Sequence, residues 1–222
     1  VEPVQSRHPE HQPVEFVKQL RELTQRKGIA LILDEIITGF RVHQGGIQAA
    51  WDIKPDMATY GKILGGGIPI GAVAGSAEYL DAIDGGPWQF GDDSIPEKNV
   101  TFFAGTFVRH PIAMAAAHAV LTFLKEQGPQ LQEGMNARAQ AFADDINAYT
   151  EERGVPMRIR VCSSWFRFDY PQEMVNVSML FPYMLSRGVY IREAAQNCFF
   201  SIAHSDEDIA FVTKIIKEGI AE

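Results

Sequence analysis

The chain has 222 residues, 46% hydrophobic and 22% charged, the balance of an ordinary globular protein long enough for one large or two small cores. Its 28 acids against 20 bases leave a net charge of −8 with no basic patch, which argues against nucleic acid or an anionic membrane surface as partner. Apolar runs stay far below the ~20 residues of a membrane span, and VEPVQSRHPE lacks signal-peptide character. Cys162 and Cys198 stand isolated, with neither disulfide nor zinc spacing, so a reducing cytoplasm is expected and metal chemistry is not.

In chain order, Val1 to Gln5 reads as the end of a strand, followed by a polar loop through Gln12. Phe16, Val17, Leu20 and Leu23 recur at helical spacing within a helix from Val14 to Arg26, and Gly28 stops it. Ile29 to Leu33 is a short apolar run rich in branched residues, the pattern of a parallel strand buried on both faces. It ends in Asp34-Glu35, and a carboxylate at that end of a strand sits where open α/β sheets place their ligands. Met57 to Tyr60 closes a second strand-like run, and Gly61-Lys62 follows, with Gly65, Gly66 and Gly67 behind it. Ile70 to Gly75 reads as a strand and Ser76 as the cap of a helix reaching about Ile83.

The loop from Asp84 to Asn99 has the length of a functional segment, with Trp88 and Phe90 either lining a substrate entrance or pinning a surface loop. Pro111 opens a long helix whose alanines suit close packing. From Thr122 the character changes. A helix to Gln127, a break at Gly128-Pro129 and a helix from Leu131 to Arg153 lead into short alternating runs. Met157 to Val161, Trp165 to Phe168, Val189 to Ile191 and Cys198 to Ile202 read as strands, with helices over Val175 to Arg187 and Asp206 to Gly219. Ser205, three residues before Asp208, reads as a helix cap. An α/β region over 1–121 followed by a smaller α+β domain over 122–222 is the expected organisation.

Asp34 and Lys62, 28 residues apart at two strand ends, have two readings. One is a structural ion pair or two loop charges. The other is a buried lysine whose amine is freed as a nucleophile by desolvation, beside an acid that stabilises a protonated pyridine ring, the arrangement pyridoxal phosphate needs. A phosphate-loop reading of Gly61-Lys62 lacks the G-x-x-x-x-G-K-[ST] pattern. Glu35 is expected to be structural, since neighbouring residues at a strand end point opposite ways.

LILDEIITGFR, PDMATYGKILGGGIPIGAVAG and TFFAGTFVRHPIAMAAA together resemble the class III (fold type I) aminotransferases, and most closely their glutamate-1-semialdehyde aminomutase-like branch. Within it, GGIQAAWDIKPD, YLDAIDGGPWQFGDDSIP and AHSDEDI resemble the aminotransferase domains embedded in hybrid polyketide–peptide synthetases. The resemblance covers nearly the whole chain. It implies pyridoxal 5'-phosphate as cofactor, with Lys62 as the Schiff-base lysine and Asp34 as the acid at the ring nitrogen. Ile36 stands where the family usually has a valine packed on the ring. Gln5, after Glu-Pro, corresponds to a glutamine that contacts the ring hydroxyl. Thr106, in the run from Phe102, corresponds to a threonine that binds the cofactor phosphate across a dimer interface, which implies a homodimer with composite sites. The fold implied is α/β, the carboxyl-terminal part of a large doubly wound domain followed by a small α+β domain. The family's Gly-Ser/Thr phosphate turn and stacking aromatic find no counterpart, so the chain reads as part of a longer catalytic unit.

The implied reaction moves an amino group from a small-molecule donor to a carbonyl acceptor, in the synthetase-embedded relatives a β-keto acyl thioester on a carrier protein. An aminomutase would use the same residues to move the amine within one molecule. An inactive fragment or a non-catalytic interaction domain is the third reading. Arg192 to Gln196 departs from the Trp-Glu-Gly-Arg-like run common in the synthetase relatives, on the expected substrate side.

Overall fold

The computed structural model describes residues 1–83, 85–86, 88–97, 104–171, 173–191 and 197–222. The chain divides into two compact units, Val1–Pro3 with Pro13–Gly128 and Val4–Gln12 with Pro129–Glu222.

In the first unit, helix α1 (Val14–Lys27) stops at Gly28, which takes a left-handed conformation (φ 63°) and turns its N–H back to the Gln25 and Thr24 carbonyls. Its buried face is Val17 and Thr24, while Phe16 and Leu23 lie on its exposed side. Val17 packs with Leu31, Leu33 and Ile53. Strand β1 (Ile32–Asp34) runs parallel to β2 (Met57–Tyr60), in a register that pairs Ile32 with Met57 and Asp34 with Thr59. Strand β3 (Ala72–Gly75) lies antiparallel on the far side of β2. The main chain of Val1 flanks β1, donating to Ile32 O at 2.7 Å and accepting from Asp34 N–H at 2.8 Å, the slanted pattern of a parallel neighbour. Burial of the first strand on both faces is not what forms. Leu31 and Leu33 are buried on the α1 side, whereas Ile32, pointing the other way, is 42% exposed.

Helix α2 (Gly46–Ala50) lies between β1 and β2 in the chain, and α3 (Ala77–Leu80) follows β3, continued by a 3-10 turn over Asp81–Ile83. Ser76 holds the N-cap position of α3, yet its side chain makes no capping bond. Pro111 opens α4 (Pro111–Gln127), which buries Ala113, Ala117 and Leu124 and packs on the turn Lys62–Gly65. A side chain at Gly66 would put its Cβ 2.8 Å from Val120 Cγ2, so the turn approaches the helix as closely as glycine permits.

In the second unit, α5 (Gln130–Glu152) packs on an antiparallel sheet of β4 (Arg158–Cys162), β5 (Trp165–Asp169) and β6 (Cys198–Phe199). Helices α6 (Val175–Ser178), α7 (Leu180–Ser186) and α8 (Asp206–Ala221) complete it. Its core joins Phe142 and Ile146 of α5 to Phe166, Phe168, Met184 and Ile216. Val189 to Ile191 forms no strand, because the Val189 N–H is taken by the Met184 carbonyl at the end of α7. β6 is shorter than the run to Ile202, since Ser201 already begins a turn closed by His204 N–H. Ser205 and Asp208 form a reciprocal capping box on α8. Arg192 to Gln196 lies outside the described residues.

Candidate active site

The site grows from the parallel pair β1–β2. Asp34, half-buried, is the last residue of β1, and its Oδ1 accepts from the Ile36 N–H at 3.0 Å and from the Thr59 hydroxyl at 3.2 Å. The first bond folds the chain back at the strand end, and the second ties the carboxylate to the neighbouring strand. Thr59 is its register partner, so the chain leaves both strands at the same end, and Lys62 stands three residues beyond Thr59. Adjacent strands run ~4.8 Å apart, which sets the acid at the end of β1 beside the turn that carries the amine.

Lys62 has φ 46°, a left-handed conformation that costs a non-glycine residue ~1–3 kcal/mol and that the surroundings must enforce. The expected burial of this lysine is not observed. Its neighbours Leu64 and Gly65 are buried, while Lys62 is exposed and its side chain makes no hydrogen bond or ion pair among the described residues. The physical reason is local: the 3-10 turn that starts at Lys62 commits its buried face to Leu64 and Gly65.

Ile36 lies against the residue before the lysine. A Cβ at Gly61 would meet the Ile36 Cγ2 at 3.5 Å and the Ile70 carbonyl at 3.3 Å, so backbone and aliphatic side chain are in near contact there. Thr106 is exposed in a turn ahead of α4, where Val108 N–H bonds the Gly105 carbonyl, rather than at the helix start itself. Phe102 and Phe103 of that segment lie outside the described residues. Gln5 belongs to the second unit, exposed, its carbonyl accepting from His8 N–H at 2.8 Å. The structure thus gathers Asp34, Lys62 and Ile36 at one sheet edge, and Thr106 and Gln5 enter the site through the resemblance alone. Trp88 is partly buried and Phe90 is 99% exposed; Asp84, Pro87, Lys98 and Asn99 of their loop lie outside the described residues.

Glu35 turns the other way from Asp34 and is wholly buried, accepting from Thr38, Ile47 and Gln48. Sequence reasoning did not single out Thr59; the signal available was its place opposite Asp34 once two parallel strands were expected. An amine, a carboxylate and an aliphatic surface at one edge suit a flat aromatic group with a basic ring nitrogen and a reactive carbonyl. Among the described residues no group of His, Cys, Asp or Glu could hold a metal ion, and no helix is long and apolar enough to cross a membrane.

A sequence profile of the family "Aminotransferase class-III" matches residues 1–220. The chain belongs to the class III aminotransferases. It is 34% identical over 207 residues to a glutamate-1-semialdehyde 2,1-aminomutase of Desulfotalea psychrophila, a match covering 87% of this chain and 45% of that protein. Among solved structures it resembles an omega-transaminase from Sphaerobacter thermophilus (TM-score 0.81, 25% identity, 99% of this chain and 50% of that one). It equally resembles a β-phenylalanine aminotransferase from Variovorax paradoxus (TM-score 0.81, 26% identity, 100% and 51%). The class III chain described here therefore has the α/β fold type I architecture and spans about half the length of these relatives.

Proposed function

We propose that this chain carries the lysine and the acid of a pyridoxal phosphate-dependent amino-transfer site. The observation that carries the reading is the register Asp34↔Thr59, which brings the chain out of two parallel strands at the same end, with Asp34 closing β1 and Lys62 three residues past Thr59. The donor set fits the cofactor: a carboxylate for its ring nitrogen, an amine for its carbonyl carbon and the Ile36 side chain for its ring face. When bound, pyridoxal phosphate supplies an electron sink for the carbon that bears the amino group.

Lys62 would hold the cofactor through its side-chain amine, and that amine, when free, would serve as the base that takes up and returns the proton at the substrate Cα. Asp34 would face the ring nitrogen and favour its protonated form. Its bonds from Ile36 N–H and Thr59 hold the carboxylate in place for this. Ile36 would cover the ring by dispersion, and by the resemblance Gln5 would meet the ring hydroxyl and Thr106 the phosphate of a second copy's site in a homodimer.

The amino donor is a small molecule and the acceptor a carbonyl. Likeness of GGIQAAWDIKPD to synthetase-embedded domains supports a β-keto acyl thioester on a carrier protein as acceptor. The similarity to an aminomutase supports a second reading, in which the amine returns to the same molecule. Cys162 and Cys198, neither in a disulfide, suit a reducing cytoplasm.

The test is the absorbance spectrum of the full-length protein with pyridoxal phosphate, before and after borohydride, beside Lys62→Ala. A visible band that borohydride traps, and that the variant lacks, is expected. A folded full-length protein without such a band would remove the amino-transfer reading.

A further inference from the structure

A buried carboxylate fixes the segment that follows Asp34. Glu35 has no exposed surface. Its Oε2 accepts from the Thr38 hydroxyl at 2.6 Å and the Ile47 N–H at 2.9 Å. Its Oε1 accepts from the Gln48 N–H at 2.9 Å and from Gln48 Nε2 at 3.3 Å. The Glu35 N–H itself donates to the Thr59 carbonyl at 3.0 Å. Gly46, at φ 75°, leaves room only for this arrangement, since a Cβ there would lie 2.5 Å from Oε1. A buried charge with four donors around it has one orientation, because any other leaves it unpaired.

The network does not stop at Glu35. Gln48 Nε2 also donates to the Tyr60 hydroxyl at 2.7 Å. The Tyr60 ring rests on Phe40, with centroids 5.2 Å apart, and closes over Gly39, where a Cβ would come within 2.7 Å of Cδ1. Tyr60 is therefore held at both ring and hydroxyl, and it ends β2 two residues before Lys62. Burial and the Glu35 charge push the phenol up, so the hydroxyl stays protonated. Gly61, between the two, is confined by Ile70 and Ile36. Holding Glu35 in place needs no bond to residue 60. The Gln48–Tyr60 link has a different consequence: it fixes the last residue before a turn whose first member, Lys62, sits in the left-handed region.

We propose that Tyr60 and Gln48 are positioning residues for Lys62, transmitting the fixed geometry of buried Glu35 to the lysine-bearing turn. The inference rests on the amino-transfer reading for its catalytic consequence.

Tyr60→Phe removes one hydroxyl, and Gln48→Met removes the amide at nearly constant volume. In the full-length protein with pyridoxal phosphate, each variant is expected to lower kcat about 10-fold with KM unchanged, the signature of a misplaced reacting group. Each is expected to lower the thermal midpoint by only a few degrees, more for Gln48→Met, which also removes a donor from Glu35. In the cofactor-free protein, amide exchange is expected to quicken several-fold over Gly61–Gly66, where Leu64 N–H bonds Gly61 O and Gly66 N–H bonds Ile63 O, and to stay unchanged in β1 and β3. Wild-type exchange over 61–66 in both variants, or exchange that quickens equally through the first unit, would overturn the proposal. So would an unchanged kcat in both. If the wild-type protein shows neither cofactor band nor turnover, the amino-transfer reading falls, and the exchange comparison alone decides whether Tyr60 and Gln48 hold the turn.

Discussion

The Thr59 hydroxyl donates to Asp34 Oδ1 at 3.2 Å, between residues that are direct partners of two parallel strands. The bond makes the second strand part of the acid's support, so the strand that leads to Lys62 also orients Asp34. Thr59→Val keeps the shape and removes the donor. A loss of about 1 kcal/mol in stability is expected, with turnover of the full-length protein reduced several-fold. Urea unfolding and steady-state kinetics check this. Wild-type turnover in a variant destabilised by that amount would show that Asp34 does not depend on Thr59.

Gly46 is the narrowest point of the Glu35 network. An alanine there meets the carboxylate at 2.5 Å and must also adopt φ 75°. Gly46→Ala is expected to cost about 2–4 kcal/mol, from left-handed strain and displaced hydrogen bonds together. Denaturant midpoints measure it, and a change within about 0.5 kcal/mol, the range of an ordinary surface substitution, would contradict the geometry.

Asp56 sets the acid side of the stability curve. Its Oδ2 accepts from the Leu31 N–H at 2.6 Å and from Arg21 Nη1 at 2.7 Å. The Leu31 amide first, and then the Arg21 guanidinium, hold the Asp56 carboxyl below the usual carboxylate range. A carboxyl whose pKa is depressed on folding contributes stability above its unfolded value, ~3.9. That contribution is lost as pH falls through the lower folded value. Wild type is therefore expected to lose stability more steeply than Asp56→Asn below about pH 4. Parallel melting curves across that window would remove Asp56 from the account.

Much of this was legible in the residues because the signals are local. Gly28 stops α1 because a left-handed C-terminal residue suits glycine, and Pro111 opens α4 because its missing N–H is not needed there. Ser205 and Asp208 cap α8 through two bonds that span three residues. Where a local pattern misleads, a non-local partner is responsible. Val189 looks like the start of a strand, but its N–H is used to close α7. Ile32 has the side chain of a buried strand, yet α1 covers only the face that carries Leu31 and Leu33.

The candidate site divides in the same way. Asp34 and Lys62 could be named from an apolar run ending in an acid and a second run ending in Gly-Lys. Lys62's exposure and its left-handed backbone could not, since both follow from the turn that packs on α4.

The sequence by itself determined that an acid and a lysine stand at two strand ends, since apolar runs, glycine stops and capping side chains act within a turn or two of themselves. Only the tertiary structure decided that Asp34 pairs with Thr59 across 25 residues and that Gln48 joins Glu35, 13 residues away, to Tyr60, 12 residues away. Strand register and the burial of a charge depend on groups that become neighbours only when the sheet closes, and no short-range pattern records them.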